Sequence, residues 1–191
     1  ANYTSASETW WVNVPDTVAP NVLLTYPTNT TYVSVQTQLN YSASDEALSS
    51  CWYSTDNGAT NTTITCGTNV TGLDSGQGSS TWRVYANDTS GNQNSSSVVF
   101  FVDSINPAIS FASPTESNGS NLSRNYIQVN VTVSDTNLQN ITIRLYNSSN
   151  ALIRNNISSA SPFFINYTGL SEGIYSFNAT ANDTLNNQNS T

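Results

Sequence analysis

The sequence contains no lysine and no histidine, and four arginines stand against twelve acidic residues, for a formal net charge of −8. A nucleic-acid-binding protein needs clustered Lys and Arg to displace counterions from phosphates, so this class is excluded. Without His or Lys, neither His-activated nucleophiles nor Schiff-base chemistry is available. The one adjacent pair of acids, Asp45 and Glu46, becomes Asp135 and Thr136 where the pattern recurs. We therefore predict that the protein is not an enzyme.

Long hydrophobic runs are also missing. No apolar run approaches the ~20 residues of a membrane-spanning helix, so no membrane segment is expected in this window. Charged residues make up only 8% of the chain, against roughly 25% in ordinary soluble domains. Such a low charge can indicate disorder, but 37% of the residues are apolar and they alternate in short runs. The pattern therefore predicts a folded chain built from strands.

A repeat organises the sequence. Residues 86–96 read ANDTSGNQNSS and residues 181–191 read ANDTLNNQNST, while QLNYSASD at 38–45 aligns without gaps to QVNVTVSD at 128–135. Each repeat holds six or seven short alternating strands separated by turn residues, which is typical of antiparallel β-sandwiches. We predict an all-β chain with sandwich one at residues 15–103 and sandwich two at residues 104–191.

The two ends of the chain match the same part of the repeat. Residues 2–11 line up with residues 92–101, which predicts that residues 1–14 are an orphan strand completing an adjacent repeat. The residues of this predicted inter-repeat strand are Trp10, Trp11, Val12 and Val14. Sandwich two stops before the counterpart of residues 97–103, so we expect it to lack its last strand and to leave an apolar groove with unpaired edges.

Two arrangements would supply that strand. A continuous tandem chain would provide it from the adjoining repeat, and a neighbouring copy would provide its own N-terminal strand, as donor-strand pilins do; we favour the first. Adjacent strand residues face opposite ways, so one of Trp10 and Trp11 is expected in a core and the other outside. The outer ring could stack on a sugar, although cover by the sandwich edge or by a glycan is favoured.

The repeat of about 90 residues and the ANDTSGN hairpin resemble the immunoglobulin-like repeats of very large bacterial and archaeal cell-surface proteins. The Asn-, Ser- and Thr-rich, Lys-poor composition is particularly similar to archaeal examples. This resemblance implies an extracellular structural protein, a tandem array forming a filament, stalk or surface layer, whose partners are copies of itself or adjoining repeats. The alternative is an adhesin or carbohydrate-binding module with cell-surface glycans as partners. Short, unremarkable loops in both repeats favour the structural role.

Seventeen Asn-X-Ser/Thr sequons occur, about twice the roughly eight expected from the content of Asn, Ser and Thr. Alternation predicts that Asn130 and Asn178 point outward from their strands, where a glycan has room. We therefore predict a secreted, heavily N-glycosylated chain rather than simple Asn-rich filler. The candidate acceptors are Asn2, Asn29, Asn40, Asn61, Asn69, Asn87, Asn94, Asn118, Asn121, Asn130, Asn140, Asn147, Asn156, Asn166, Asn178, Asn182 and Asn189.

Cysteine and aspartate provide the remaining candidate sites. Cys51 and Cys66 are the two cysteines, and an extracellular pair at this spacing is predicted to form a disulfide rather than two buried thiols. A zinc site is not expected from two cysteines and no histidine. Three aspartates recur between repeats: Asp16 and Asp103, Asp45 and Asp135, Asp88 and Asp183. Calcium uses such ligands, but the acids are single and beside turn residues, so structural turns are favoured. We expect no metal and no cofactor besides N-linked glycans.

Overall fold

The computed structural model describes residues 8–191, which form fifteen strands and contain no helix. The prediction of an all-β protein is therefore confirmed. The chain divides into two compact units, Ala1–Val102 and Asp103–Thr191. Each unit consists of two sheets that share one hydrophobic core, which is the arrangement of a β-sandwich. Residues 8–191 include no helix with the length and hydrophobicity needed to cross a membrane.

Unit 1 contains a three-stranded and a five-stranded sheet. Its strands are β1 (Asn21–Tyr26), β2 (Thr31–Tyr32), β3 (Gln38–Ser44), β4 (Leu48–Ser54), β5 (Thr62–Ile64), β6 (Val70–Thr71), β7 (Gly78–Asp88) and β8 (Gln93–Val102). The sheet orders are β1-β3-β6 and β2-β8-β7-β4-β5. All pairings are antiparallel except that of β2 with β8, which is parallel. This departs from the antiparallel prediction because the chain crosses to the other sheet after β1, so that β2 runs beside β8 in the same direction.

The core of unit 1 follows the two-residue period of its strands. Trp82, Val84 and Ala86 alternate along β7 and are fully buried. Leu39 on the facing sheet is fully buried as well, and the ring of Phe100 meets that of Trp82 edge-on, with centroids 5.2 Å apart. Residues of β7 and β8 therefore supply much of the apolar surface that holds the two sheets together.

Unit 2 contains sheets of three and four strands. Its strands are β9 (Ala108–Ala112), β10 (Ile127–Ser134), β11 (Leu138–Asn147), β12 (Leu152–Ser158), β13 (Phe163–Tyr167), β14 (Tyr175–Asp183) and β15 (Gln188–Ser190). The sheet orders are β13-β10-β9 and β12-β11-β14-β15, with every pairing antiparallel. Val129 and Val131 on one sheet pack against Ile141, Ile143 and Leu145 on the other, all fully buried.

The two units differ in the length of the last strand, which pairs with β7 in unit 1 and with β14 in unit 2. In unit 1 that strand, β8, has 10 residues. In unit 2 its counterpart, β15, has 3 residues. The preceding strands, β7 and β14, are similar in length, with 11 and 9 residues. Within residues 8–191, β15 therefore pairs with a smaller part of β14 than β8 does of β7.

Candidate assembly site

A buried aspartate lies at the end of β7 in unit 1 and at the end of β14 in unit 2. We call this aspartate, the turn that follows it and the connecting segment that the turn contacts the corner of each unit. Asp88 ends β7 and is only 2% exposed. Its Oδ1 accepts hydrogen bonds from the main-chain N–H groups of Ser90 at 2.8 Å and Asn92 at 2.9 Å, and its Oδ2 accepts one from Asn92 Nδ2 at 2.8 Å. In unit 2, Asp183 and Asn187 form the same pair, with Asn187 Nδ2 2.7 Å from Asp183 Oδ2. The aspartate of the repeated ANDT motif is thus a buried carboxylate whose oxygens accept hydrogen bonds, and these bonds shape the turn that follows it.

The asparagine of this corner also fastens the segment that enters the unit. Asn92 Nδ2 donates to the main-chain oxygen of Asp16 at 3.0 Å, and Asn187 Nδ2 donates to that of Asp103 at 3.2 Å. Neither Asn92 nor Asn187 lies in a sequon, and neither was predicted as a site residue. The available signal was an Asn four residues after the Asp in both copies of the repeat. The corner therefore fixes where the connecting segment meets each sandwich.

The Asp88 carboxyl is held in its charged form. Burial raises the pKa of Asp88, but hydrogen bonds from Asn92, Ser90 and Gly91 outweigh that effect and keep the pKa below its ordinary value. Hydrogen bonds to an ionised carboxylate favour the charged state. At neutral pH, this corner therefore presents a negative charge beside the connecting segment.

Three carboxylates converge at this corner in unit 1. Oxygen atoms of Asp16, Asp45 and Asp88 all lie within 4.8 Å of one another. The expectation that these acids are single rather than clustered is therefore wrong for unit 1. The connecting segment, the turn after β3 and the end of β7 meet at one edge of the sandwich, although they are far apart in sequence. Carboxylate oxygens are the ligands that hard cations such as Ca²⁺ prefer.

Unit 2 builds the corresponding corner differently. Asn137 Nδ2 donates a hydrogen bond to Asp103 Oδ2 at 2.8 Å. In unit 1, Ala47 occupies the position that Asn137 has in unit 2. Each of them follows its Asp by two residues and donates its main-chain N–H to that carboxylate. A side-chain amide therefore donates a hydrogen bond to Asp103 in unit 2, whereas the Ala47 side chain offers Asp16 no donor.

In the part of the chain that the structure describes, one edge of β14 has a neighbouring strand over only part of its length. Strand β11 pairs with it from Tyr175 to Asp183, but on the other side β15 pairs only with residues 180–182. Within residues 8–191, no strand lies beside residues 175–178 on that side. In unit 1 the corresponding residues 80–83 pair with residues 97–100 of β8. Unpaired N–H and C=O groups at a sheet edge are a ready template for another strand.

Apolar side chains accompany this unpaired edge. Ile174 is 76% exposed and Phe111 is 38% exposed, and the Phe111 ring packs edge-on against that of Phe177 at 5.3 Å between centroids. In unit 1 this part of the sandwich is sealed by Phe100 and Val102, which are 2% and 1% exposed. We call residues 173–178 together with Phe111 the open edge of unit 2.

Residues 8–14 carry four apolar side chains that are exposed in the described chain. They form no strand there, and Trp10, Trp11, Val12 and Val14 are 84%, 91%, 85% and 82% exposed. Residues 1–7 of the predicted orphan strand lie outside the described residues. That residues 8–14 pair with a neighbour remains a prediction.

Cys51 and Cys66 are joined by a disulfide with their Cα atoms 5.2 Å apart. Cys51 lies on β4 and is fully buried, and Cys66 follows β5. The bond therefore anchors the short edge strand β5 to the core of unit 1. At the place of Cys51, unit 2 has the fully buried Ile141.

The sequon asparagines are of two kinds, exposed and half-buried, and Asn2 lies outside the described residues. Exposed are Asn29, Asn61, Asn69, Asn94, Asn118, Asn121, Asn166 and Asn189. Half-buried are Asn40, Asn87, Asn130, Asn140, Asn147, Asn156, Asn178 and Asn182. The alternation of strand residues thus does not suffice to make Asn130 and Asn178 exposed. Asn130 lies on the central strand β10, and its Nδ2 donates to the main-chain oxygen of Ser113 at 2.7 Å.

Comparison with solved structures finds distant similarities over most of the chain. Fibronectin(III)-like modules of CbhA from Clostridium thermocellum share 17% identity at a TM-score of 0.37, covering 90% of both chains. A tetra-tandem repeat from the extending region of a large adhesion protein shares 21% identity at a TM-score of 0.43, covering 90% of this chain and 47% of that one. Carbohydrate-binding modules of the β-sandwich superfamily share 12% identity at a TM-score of 0.37, covering 86% and 85%.

No family model matches the chain, and no curated protein matches it. The chain spans less than half of the adhesion-protein structure and nearly all of the CbhA structure. At these identities, nothing about binding or assembly follows from the similarities.

Proposed function

We propose that the protein is an extracellular structural module of a microbial cell surface, part of an N-glycosylated linear array of sandwiches that forms a filament, stalk or surface layer. The observation that carries this proposal is the match between two features of residues 8–191. No described strand lies beside residues 175–178 of β14 on one side, and Trp10, Trp11, Val12 and Val14 are exposed. Sheet edges of this kind recruit strands by β-augmentation.

Unit 1 supplies the template for the register. Residues 78–88 align without gaps to residues 173–183, and in unit 1 Phe100 lies opposite Ser80 while Val102 lies opposite Gly78. Trp10 and Val12 match Phe100 and Val102 in the repeat.

The transferred register puts Trp10 opposite Tyr175 and Val12 opposite Gly173, with both side chains facing the core. Burying each would contribute about 1.5–3 kcal/mol, before the entropic cost of association. Glu8 takes the half-buried place of Val98. Trp11 takes the outward place of Phe101, which is 39% exposed in unit 1. The strand comes from the adjoining repeat in a continuous chain or from a neighbouring copy, and either source gives the same linear array.

The register can be tested by self-association of the 191-residue chain in sedimentation experiments over a range of concentrations. We expect concentration-dependent oligomers that are lost in the double variant Trp10→Ser/Val12→Ser. Trp11→Ser is the matched control, because its side chain faces outward in this register, and it should retain association. A wild-type chain that stays monomeric at every concentration, or equal effects of the two variants, would contradict the proposal.

A carbohydrate-binding module is the second candidate. Its specific support is the stacked pair of Trp52 and Tyr85, whose ring centroids are 5.5 Å apart with an interplanar angle of 8° on the outer face of unit 1. Unit 2 has Thr142 and Thr180 at the corresponding cross-strand pair. Aromatic side chains that are only half-buried can pack against sugars. Binding to immobilised glycans that is lost in Trp52→Ala would favour this candidate over a purely structural role.

A further inference from the structure

An aromatic patch lies on the outer face of the five-stranded sheet of unit 1. Trp52 on β4 lies opposite Tyr85 on β7, and we call these two residues the ring pair. Their rings are stacked, and both side chains are half-buried. On the far side of Tyr85, β8 places the exposed Ser95 opposite it. On the far side of Trp52, β5 places the exposed Thr63 opposite it. Small polar residues therefore flank the ring pair on both sides.

A glycosylation sequon lies on the same face as the ring pair. Asn87 follows Tyr85 by two residues on β7, so both side chains point to the same face of the sheet, with about 7 Å between their Cα atoms. On the neighbouring strand, Asn87 pairs with Gln93. This makes Ser95 a diagonal neighbour of Asn87, at about 7–8 Å. The space above Ser95, next to the Tyr85 ring, is therefore within reach of a sugar attached to Asn87.

The side-chain amide of Asn87 is positioned for attachment of that sugar. Its Oδ1 accepts a hydrogen bond from the main-chain N–H of Ser50 at 3.0 Å, which restricts rotation of the amide. Of the described residues, none forms a hydrogen bond with Asn87 Nδ2, and this atom is not one of the buried polar atoms without a partner. An N-glycan is attached at Nδ2. The attachment atom is therefore held in place and accessible.

The second copy of the ANDT sequon has no rings beside it. Asn182 corresponds to Asn87, and Thr142 and Thr180 occupy the positions of the ring pair in unit 2. The Oδ1 of Asn182 is buried and, in the described part of the chain, has no hydrogen-bond partner. The chain thus contains one ANDT sequon with aromatic neighbours and a matched one without them.

The setting of the ring pair favours an attached sugar over a free one. A free ligand loses translational and rotational freedom when it binds, and sites that overcome this cost are concave and cover most of the ligand. The ring pair instead lies on a sheet face between exposed Ser95 and Thr63, where a free sugar would contact few groups. A sugar on Asn87 is already tethered, at an effective concentration in the millimolar range. A modest stacking contact is then sufficient to hold it.

We infer that the glycan on Asn87 folds back onto the ring pair and packs its sugar C–H groups against Tyr85 and Trp52. This inference rests on the N-glycosylation in the proposed function. The C–H groups of a pyranose ring carry partial positive charge and meet the negative face of an aromatic ring. The patch that supports a carbohydrate-binding module is, in this account, covered by the chain's own glycan.

Mass spectrometry of intact glycopeptides from the natively secreted protein is the first test. We expect the peptide that contains Asn87 to carry a glycan. An unmodified Asn87 in a protein glycosylated at other sequons would overturn this inference and leave the proposed function in place. A protein without a glycan at any site would overturn both the inference and the N-glycosylation in the proposed function.

Removal of the sequon without any change to Asn87 tests the contact itself. Thr89→Ala abolishes the acceptor motif and leaves the Asn87 amide in place. In protein from the native producer, this change should lower the melting temperature of unit 1 by about 4–8 °C, the shift expected for one lost aromatic contact. Thr184→Ala, which removes the Asn182 sequon, is the matched control and should leave the transition of unit 2 unchanged.

The same change in a Trp52→Thr/Tyr85→Thr background isolates the contribution of the rings. Threonine is the residue that unit 2 has at both positions, and in this background Thr89→Ala should leave the melting temperature of unit 1 unchanged. Equal shifts in the two backgrounds would overturn the inference. A shift caused by Asn61→Gln, at the sequon directly before β5, and not by Thr89→Ala would overturn it as well. So would binding of a free glycan to the wild-type protein that is lost in Trp52→Ala, because the ring pair would then be uncovered.

Discussion

Reduction of the Cys51–Cys66 disulfide should destabilise unit 1 and leave unit 2 unchanged. The bond closes a loop with a sequence separation of 15, for which the chain-entropy relation gives a stabilisation of about 3 kcal/mol. For a domain of this size each kcal/mol shifts the melting temperature by roughly 4–8 °C. The thermal transition of unit 1 should therefore fall by about 12–24 °C.

Differential scanning calorimetry with and without a thiol-free reductant measures this shift. Unit 2 is an internal control, because it has Ile141 at the place of Cys51 and neither of the two cysteines lies in it. The double variant Cys51→Ala/Cys66→Ala separates loss of the cross-link from chemical effects of the reductant. Equal shifts of both transitions, or no shift of the unit 1 transition, would refute the reasoning.

Three further predictions concern the corner and one surface turn. Ala47→Asn should raise the free energy of unfolding of unit 1 by about 1 kcal/mol. The reason is that the new side-chain amide would donate a hydrogen bond to Asp16, as Asn137 does to Asp103 in unit 2. A loss of stability in denaturant titration would contradict this. Asn92→Ala should lower that free energy by about 2–3 kcal/mol, as it removes two side-chain hydrogen bonds, and an unchanged denaturation midpoint would speak against the role assigned to the corner. Hydrogen bonds from the Ser54 and Thr60 side chains and the Thr60 main chain lower the pKa of Asp56 from 3.8 to about 2. The stabilising contribution of the Asp56 carboxylate should therefore be complete above about pH 4 and disappear as the pH falls through 2. A difference in the free energy of unfolding between wild type and Asp56→Asn that persists at lower pH would contradict this prediction.

Strand alternation and internal repetition made most of the fold predictable. Trp82, Val84 and Ala86 face the core as their spacing indicates, and Phe100 is buried while Phe101 is exposed, as expected for neighbours on a strand. Such patterns are local, so a single sequence contains them. The parallel pairing of β2 was missed because it depends on the path of the chain between sheets.

The corner could not be predicted in the same way. Asp16, Asp45 and Asp88 each look like ordinary turn residues, and their convergence depends on three segments that meet only in the folded unit. Asn92 belongs to no sequon, yet its side-chain amide donates hydrogen bonds both to the buried Asp88 carboxylate and to the main chain of Asp16 in the connecting segment. For the sequons, alternation predicts which face of a sheet a residue occupies, but Asn130 and Asn178 are half-buried on that face.

Electron microscopy of natively isolated material tests the central claim most directly. The account predicts continuous fibres or a lattice with an axial repeat of one or two sandwich lengths, each roughly 35–45 Å from strands of about eight residues plus loops. Density for an added strand should lie beside residues 175–178 of β14. Isolated particles containing two sandwiches, with that edge bare and residues 8–14 unattached, would contradict it.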